Sequence, residues 1–155
     1  MINKAIRELI ESREFISVST CDFDGRPNAA PKFLLKTEGN YVYLIDYVIG
    51  RTFRNMKINP RVSLSFLDSN SLTGYQINGS VEIIDRAEEH AEALKELRRK
   101  EIDLSTTRII EGVIKGKAHR AYEIAATEQF IVLKIKVEEI VEMQPSGQLK
   151  RESVK

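Results

Sequence analysis

Tryptophan is missing from this 155-residue chain, and cysteine occurs once, at Cys21. A single cysteine cannot close an intramolecular disulfide, and a reducing cytoplasm is the simplest setting for it. Net charge is nearly absent, +1 from 24 basic and 23 acidic residues that are interspersed. That balance argues against a nucleic-acid or membrane-surface protein driven by bulk charge. Long apolar runs are absent too, and none approaches the ~18 residues of a membrane-spanning helix. Residues 1–13 carry charges throughout with no apolar core, so no signal peptide is expected. There is no internal repeat and no low-complexity segment. Metal-ligand spacing is missing: neither His90 nor His119 sits in a His-Glu-x-x-His pattern, and Cys21 has no CxxC partner. No Ser-His-acid or Cys-His arrangement can be assembled. Gly112-Val-Ile-Lys-Gly-Lys117 has the wrong glycine spacing for a phosphate loop, and Ala118 stands where a metal-binding hydroxyl is needed.

What is present fits one globular domain. At this length roughly 68–70% of the unfolded surface is expected to be buried. Ile2, Ala5, Ile6, Leu9 and Ile10 fall at helical spacing among charges and read as an amphipathic opening helix. From Phe15 the period changes to two, with Ile16, Val18 and Thr20 alternating with Ser17 and Ser19. An Asp-Gly-Arg-Pro turn follows, then an apolar stretch from Ala29 to Leu35, a Glu-Gly-Asn turn, and a third strand from Tyr41 to Ile45. Thr52 to Lys57 reads as a short helix stopped near Asn59-Pro60. Val62, Leu64 and Phe66 mark a fourth strand. Tyr75, Ile77, Val81 and Ile83 mark a fifth, in which Gly79 signals a bulge or a close backbone approach. Residues 86–100 form a charged surface helix with Ala87, Ala91, Leu94 and Leu97 on one stripe, and His90 is expected in solvent. Residues 107–126 read as mainly helical, and 130–141 as a last long strand. Residues 1–144 are expected to form the domain, and 145–155 a flexible tail. Five or six strands with short turns suggest a small antiparallel barrel. Cys21, at a strand end, reads as a small structural residue.

The informative segment is Gly50-Arg-Thr-Phe-Arg-Asn-Met-Lys-Ile-Asn-Pro60. Arg51 and Thr52 fall at a helix start, where free N–H groups and the positive end of the dipole meet. A hydroxyl and a guanidinium there make a ready phosphate site. The competing reading is that Thr52 merely caps the helix while Arg51 and Arg54 are solvated.

Three stretches occur in order: Ala30-Pro-Lys-Phe-Leu-Leu-Lys36, Tyr41-Val-Tyr-Leu-Ile-Asp-Tyr47 running into Gly50-Arg-Thr52, and Asn59-Pro-Arg-Val-Ser-Leu-Ser-Phe66 leading to Gly74-Tyr-Gln-Ile-Asn-Gly-Ser-Val-Glu82. Across residues 15–85 this resembles the FMN-binding split β-barrel family, which includes the pyridoxine 5′-phosphate oxidases. The resemblance implies a mainly β fold with flanking helices, an antiparallel split β-barrel. It implies a homodimer with one FMN per subunit near the interface, where the strand from Tyr75 to Gly79 helps complete the pocket. By position, Lys32, Phe33 and Leu34 would line the flavin ring along the strand-two backbone. Asp46 and Tyr47 would flank the ribityl chain, and Arg51 and Thr52 would hold the phosphate. The chemistry implied is hydride or electron transfer, with no catalytic side chain required because the flavin carries the reaction. A non-catalytic flavin, haem or deazaflavin module on the same fold is the alternative. The pyridoxine phosphate oxidases carry a C-terminal signature of arginine and histidine, whereas Gly147-Gln-Leu-Lys-Arg-Glu152 has no histidine. That departure argues against vitamin B6 oxidase activity.

Overall fold

The computed structural model describes residues 1–115 and 129–155. The expectations for His119, Ala118 and the helical stretch beyond residue 115 fall outside them. Alternation of apolar and small polar residues produces long strands in two meanders, β1 (Phe15–Cys21), β2 (Pro27–Glu38) and β3 (Tyr41–Asp46), then, after a crossover, β4 (Arg61–Asp68), β5 (Thr73–Ile84) and β6 (Ile131–Met143). Neighbours pair antiparallel in the order β3-β2-β1-β4-β5-β6, and β3 pairs with β6 to close a six-stranded barrel. Closure pairs β3 on both sides, with β2 and β6, and so removes the open edge it would otherwise present.

Period two sorts the side chains by face. Ile16, Val18, Leu34, Val42, Leu44, Val62, Leu64, Ile77, Leu133 and Ile135 fill the barrel interior. Phe33, Leu35, Ile45, Ile84 and Val132 point outward into a second cluster with Ala93, Leu97 and Phe130. That cluster is roofed by α3 (Ala87–Ile114). Its buried stripe is Ala93, Leu97 and Glu101 at i, i+4 and i+8, whereas Ala87 and Ala91 are exposed. An acid joins the stripe because Glu101 accepts a hydrogen bond from Tyr47 Oη at 3.0 Å. His90, expected in solvent, is half-buried: its ring stacks on Phe130 at 4.3 Å between centroids, and its Nε2 lies 3.2 Å from the Phe130 carbonyl.

The two short helices sit at opposite ends of the barrel. α1 (Lys4–Glu11) is capped by Asn3, whose side chain accepts from the Ile6 amide, and it buries Ile6 and Ile10. Its Arg7 donates to the carbonyl of Gly39 in the β2–β3 turn, and a φ of +58° at Gly39 favours glycine there. α2 (Arg51–Ile58) leaves the end of β3 at the other mouth and buries Thr52, Asn55 and Met56.

Gly79 satisfies both expectations at once. The β5–β6 pairing shifts between Asn78 and Gly79, and a Cβ at Gly79 would lie 2.1 Å from the Lys136 carbonyl oxygen. One further strand departs from the sequence reading. In place of a flexible tail, β7 (Leu149–Ser153) pairs with Glu139–Met143 of β6, and the Val154 amide donates to the Glu138 carbonyl at 2.8 Å. All five β7 side chains are exposed, so the strand is defined by main-chain pairing together with an ion pair from Arg151 Nη1 to Glu139 Oε1 at 3.2 Å.

Candidate functional site: the barrel mouth under α2

The inward face of β1 reads Ile16, Val18, Thr20, and these oppose Lys32, Ala30 and Asn28 of β2. Cross-strand partners share a face, so the apolar interior gives way at the α2 end to a polar layer. Each member has a defined partner. Asn55 Nδ2 donates to Thr20 Oγ1 at 3.1 Å, and Asn28 Nδ2 donates to Thr52 Oγ1 at 3.0 Å. Lys32 Nζ donates to Asp46 Oδ1 at 2.7 Å. The Val48 amide donates to the same oxygen at 3.0 Å. Buried polar groups are tolerated when bonded in this way. The two amide side chains tie α2 to β1 and β2, so its first turn is held in place.

That first turn has open donors. The N-cap is Gly50, which makes no side-chain capping bond. The first main-chain bond into the helix runs from the Arg54 amide to the Gly50 carbonyl at 3.2 Å. The amides of Arg51, Thr52 and Phe53 precede it and have no intrahelical acceptor. Thr52 is not the cap: it is buried, and its hydroxyl faces Asn28. The Arg51 side chain is exposed and unpaired among the described residues. Arg54 and Lys57 are exposed on the same helix. Val48 and Ile49, just ahead of it, are exposed apolar residues at 69% and 63%.

The other residues expected at a flavin site are dispersed. Leu34 is fully enclosed in the barrel core. Phe33 lies under α3, edge-on to Tyr47 and beneath the Lys100 ammonium at 5.5 Å. Lys100 Nζ also donates to the carbonyls of Leu34 at 2.6 Å and Leu35 at 3.3 Å. Burial pulls the Lys100 ammonium below its ordinary pKa, partly offset by Glu11, Glu96 and Glu14. The Tyr47 hydroxyl is pushed well above the ordinary phenol value, first by burial and then by its bond to Glu101. Lys32 and Asp46 meet each other at the mouth. Asn28, Thr20 and Asn55 escaped the sequence reading. The signal was there, because Asn28 and Thr20 fall in phase with the inward apolar residues of their strands.

A groove of about 580 Å³ lies over β1, β4, β5 and β6, lined by Ser19, Cys21, Arg61, Asn78 and Glu138 among others, and it reaches the polar layer at Thr20. Cys21 is half-buried there, with Asn59 Nδ2 3.3 Å from its Sγ. No cluster of three or more potential metal ligands occurs among the described residues. Nor is any described helix long and apolar enough to cross a membrane.

Comparison with known proteins places this geometry in context. Residues 2–144 match the sequence model of the pyridoxamine 5′-phosphate oxidase family. A heme oxygenase, HutZ of Vibrio cholerae, is 32% identical over 63 residues, a match that spans 41% of this chain and only 35% of that protein. A Clostridium acetobutylicum protein related to general stress protein 26 superposes with a TM-score of 0.70 at 18% identity, over 97% of this chain and 92% of that one. A pyridoxamine 5′-phosphate oxidase-related, FMN-binding protein of Nostoc punctiforme superposes with a TM-score of 0.54 at 12% identity, over 92% and 88%. At these identities the two structures share the fold.

Proposed function

The chain belongs to the pyridoxamine 5′-phosphate oxidase family, and from that premise we propose that it binds FMN at the α2 end of the barrel. The single observation that carries the reading is the start of α2. A glycine N-cap, three amides without intrahelical acceptors and an exposed guanidinium converge there. A helix N-terminus of this kind favours a phosphate on electrostatic and hydrogen-bonding grounds together. Arg51 would supply the charge-assisted contact, and Thr52 its amide, since its hydroxyl already serves Asn28. The exposed Val48 and Ile49 offer apolar surface beside it. With Leu34 enclosed and Phe33 roofed, Lys32–Leu34 would meet the ring through main chain. Asp46 and Tyr47 would act on the ribityl side through their positions in the loop leading to α2.

When bound, FMN supplies hydride or electron transfer, and the protein contributes position and electrostatics. A cytoplasmic homodimer completing the pocket with the partner's β5 belongs to the same reading. The haem reading is kept because a heme oxygenase is among the similar proteins.

The absorbance spectrum of purified protein, with mass spectrometry of the released cofactor, separates a flavin from a haem. Arg51→Ala then tests the site. Hydrogen bonds to charged groups contribute roughly 1.5–3 kcal/mol, so FMN should weaken by about 10- to 150-fold. Riboflavin, which has the same ring and no phosphate, should weaken much less. Equal weakening of both refutes the phosphate assignment. A larger selective effect of Arg54→Ala places the cradle one helical turn further on.

A further inference from the structure

The charges at the mouth do not match a site built only to attract an anion. Lys32 is an inward-facing cation of β2, on the same face as Asn28, which holds the first turn of α2. Its ammonium is committed to Asp46 Oδ1 in a pair whose side chains are 7% and 1% exposed. Two donors, Lys32 Nζ and the Val48 amide, converge on that one oxygen. The second oxygen, Asp46 Oδ2, is buried with no hydrogen-bond partner. A carboxylate has two acceptor oxygens, so Oδ2 is a free acceptor beside the committed ammonium. Two residues after Asp46 comes Val48, and Arg51 opens α2 three residues later. The carboxylate therefore belongs to the segment that delivers the phosphate-binding amides.

We infer that Asp46 is a specificity-determining residue. It withholds Lys32 from the ligand and lowers the site's preference for a phosphomonoester over the same ligand without its phosphate. The inference rests on the FMN reading. It assigns the residues two opposed jobs: Arg51 and the amides attract the phosphate, while Asp46 limits how far that attraction is reinforced.

The test compares FMN and riboflavin affinities by fluorescence titration in three proteins. Asp46→Asn keeps the shape and the acceptor for Lys32 but removes the charge. It should raise the FMN-to-riboflavin affinity ratio about tenfold, the change that ~1.4 kcal/mol of removed repulsion gives. The double variant Lys32→Gln with Asp46→Asn returns the pair to neutrality. It should bring the ratio back to within about threefold of wild type. Circular dichroism melts confirm folding in each case. A ratio unchanged in Asp46→Asn, or equal weakening of both flavins, overturns the proposal, because Asp46 then acts only as a structural group. Asp46→Ser keeps the proposal testable if Asp46→Asn does not fold: it also deletes the charge and should raise the ratio in the same direction, and an unchanged ratio overturns the proposal. A wild-type protein that binds neither flavin ends the FMN reading itself, a result distinct from any difference between variants.

Discussion

Replacing Gly79 by alanine adds one methyl group where β5 passes close to the main chain of β6. Its Cβ would stand 2.1 Å from the Lys136 carbonyl oxygen and 3.1 Å from the carbonyl carbon. Real Cβ atoms do not approach main chain so closely, so one strand must move. β6 cannot retreat freely. Lys136 is paired with Tyr41 of β3 on one side and Ser80 of β5 on the other, and the Val137 amide donates to the Asn40 carbonyl at 2.9 Å. Moving β5 instead opens the bulge where Asn78 faces Glu139 and Gly79 faces Val137. Overpacking costs about 1–3 kcal/mol, and each ladder hydrogen bond lost adds roughly 1 kcal/mol. A destabilisation of about 2–4 kcal/mol follows. At about 2–4 °C per kcal/mol for a domain near this size, Tm should fall by about 4–16 °C. Gly74→Ala is the control on the same strand. Its Cβ would meet Met143 Cε at 3.3 Å, the far end of a flexible side chain that can swing away. It should leave stability within about ±0.5 kcal/mol of wild type. Differential scanning calorimetry on both variants decides the matter. Equal melting temperatures for Gly79→Ala and wild type would refute the close-approach argument.

Thr20→Val removes the hydroxyl that accepts from Asn55 Nδ2 inside the polar layer, leaving a buried donor unsatisfied. Urea denaturation should show a loss of about 1–3 kcal/mol, and no loss would mean that the Asn55–Thr20 bond does not anchor α2. Burial, the largest cause in each case, raises the hydroxyls of Tyr43, Tyr47 and Tyr75 above the ordinary phenol value. The native state therefore binds protons that the unfolded state releases, so their contribution is fully present below pH ~10 and fades above it. Ultraviolet titration of the folded protein should show Tyr47 ionising last among the three. Tyr47 ionising together with free tyrosine would contradict its burial against Glu101.

Local sequence was sufficient for the strands themselves. Ile16, Val18 and Thr20, or Val62 and Leu64, alternate with small polar residues, and period two has one physical solution, a strand with one face buried. The helix at Arg51–Ile58 was legible from the Pro60 stop, and the bulge from Gly79, because backbone restrictions act within a few residues. The open amides at the start of α2 follow from helix geometry alone. What alternation cannot specify is what covers each face. Phe33 and Leu35 read as plain apolar residues whether they meet a flavin or α3, and the stripe of Ala93, Leu97 and Glu101 depends on Tyr47 being there to bond the acid. Leu149–Ser153 carries no apolar alternation, yet it becomes a strand because β6 outruns β3 and leaves its main chain to be paired. Lys32 and Asp46 stand 14 positions apart, and each alone looks like a surface charge. Only the antiparallel register of β2 against β3 brings them within 2.7 Å in a buried mouth. That contact decides whether Lys32 faces a ligand or a carboxylate, because ion pairing depends on distance and burial, and closure of the barrel sets both.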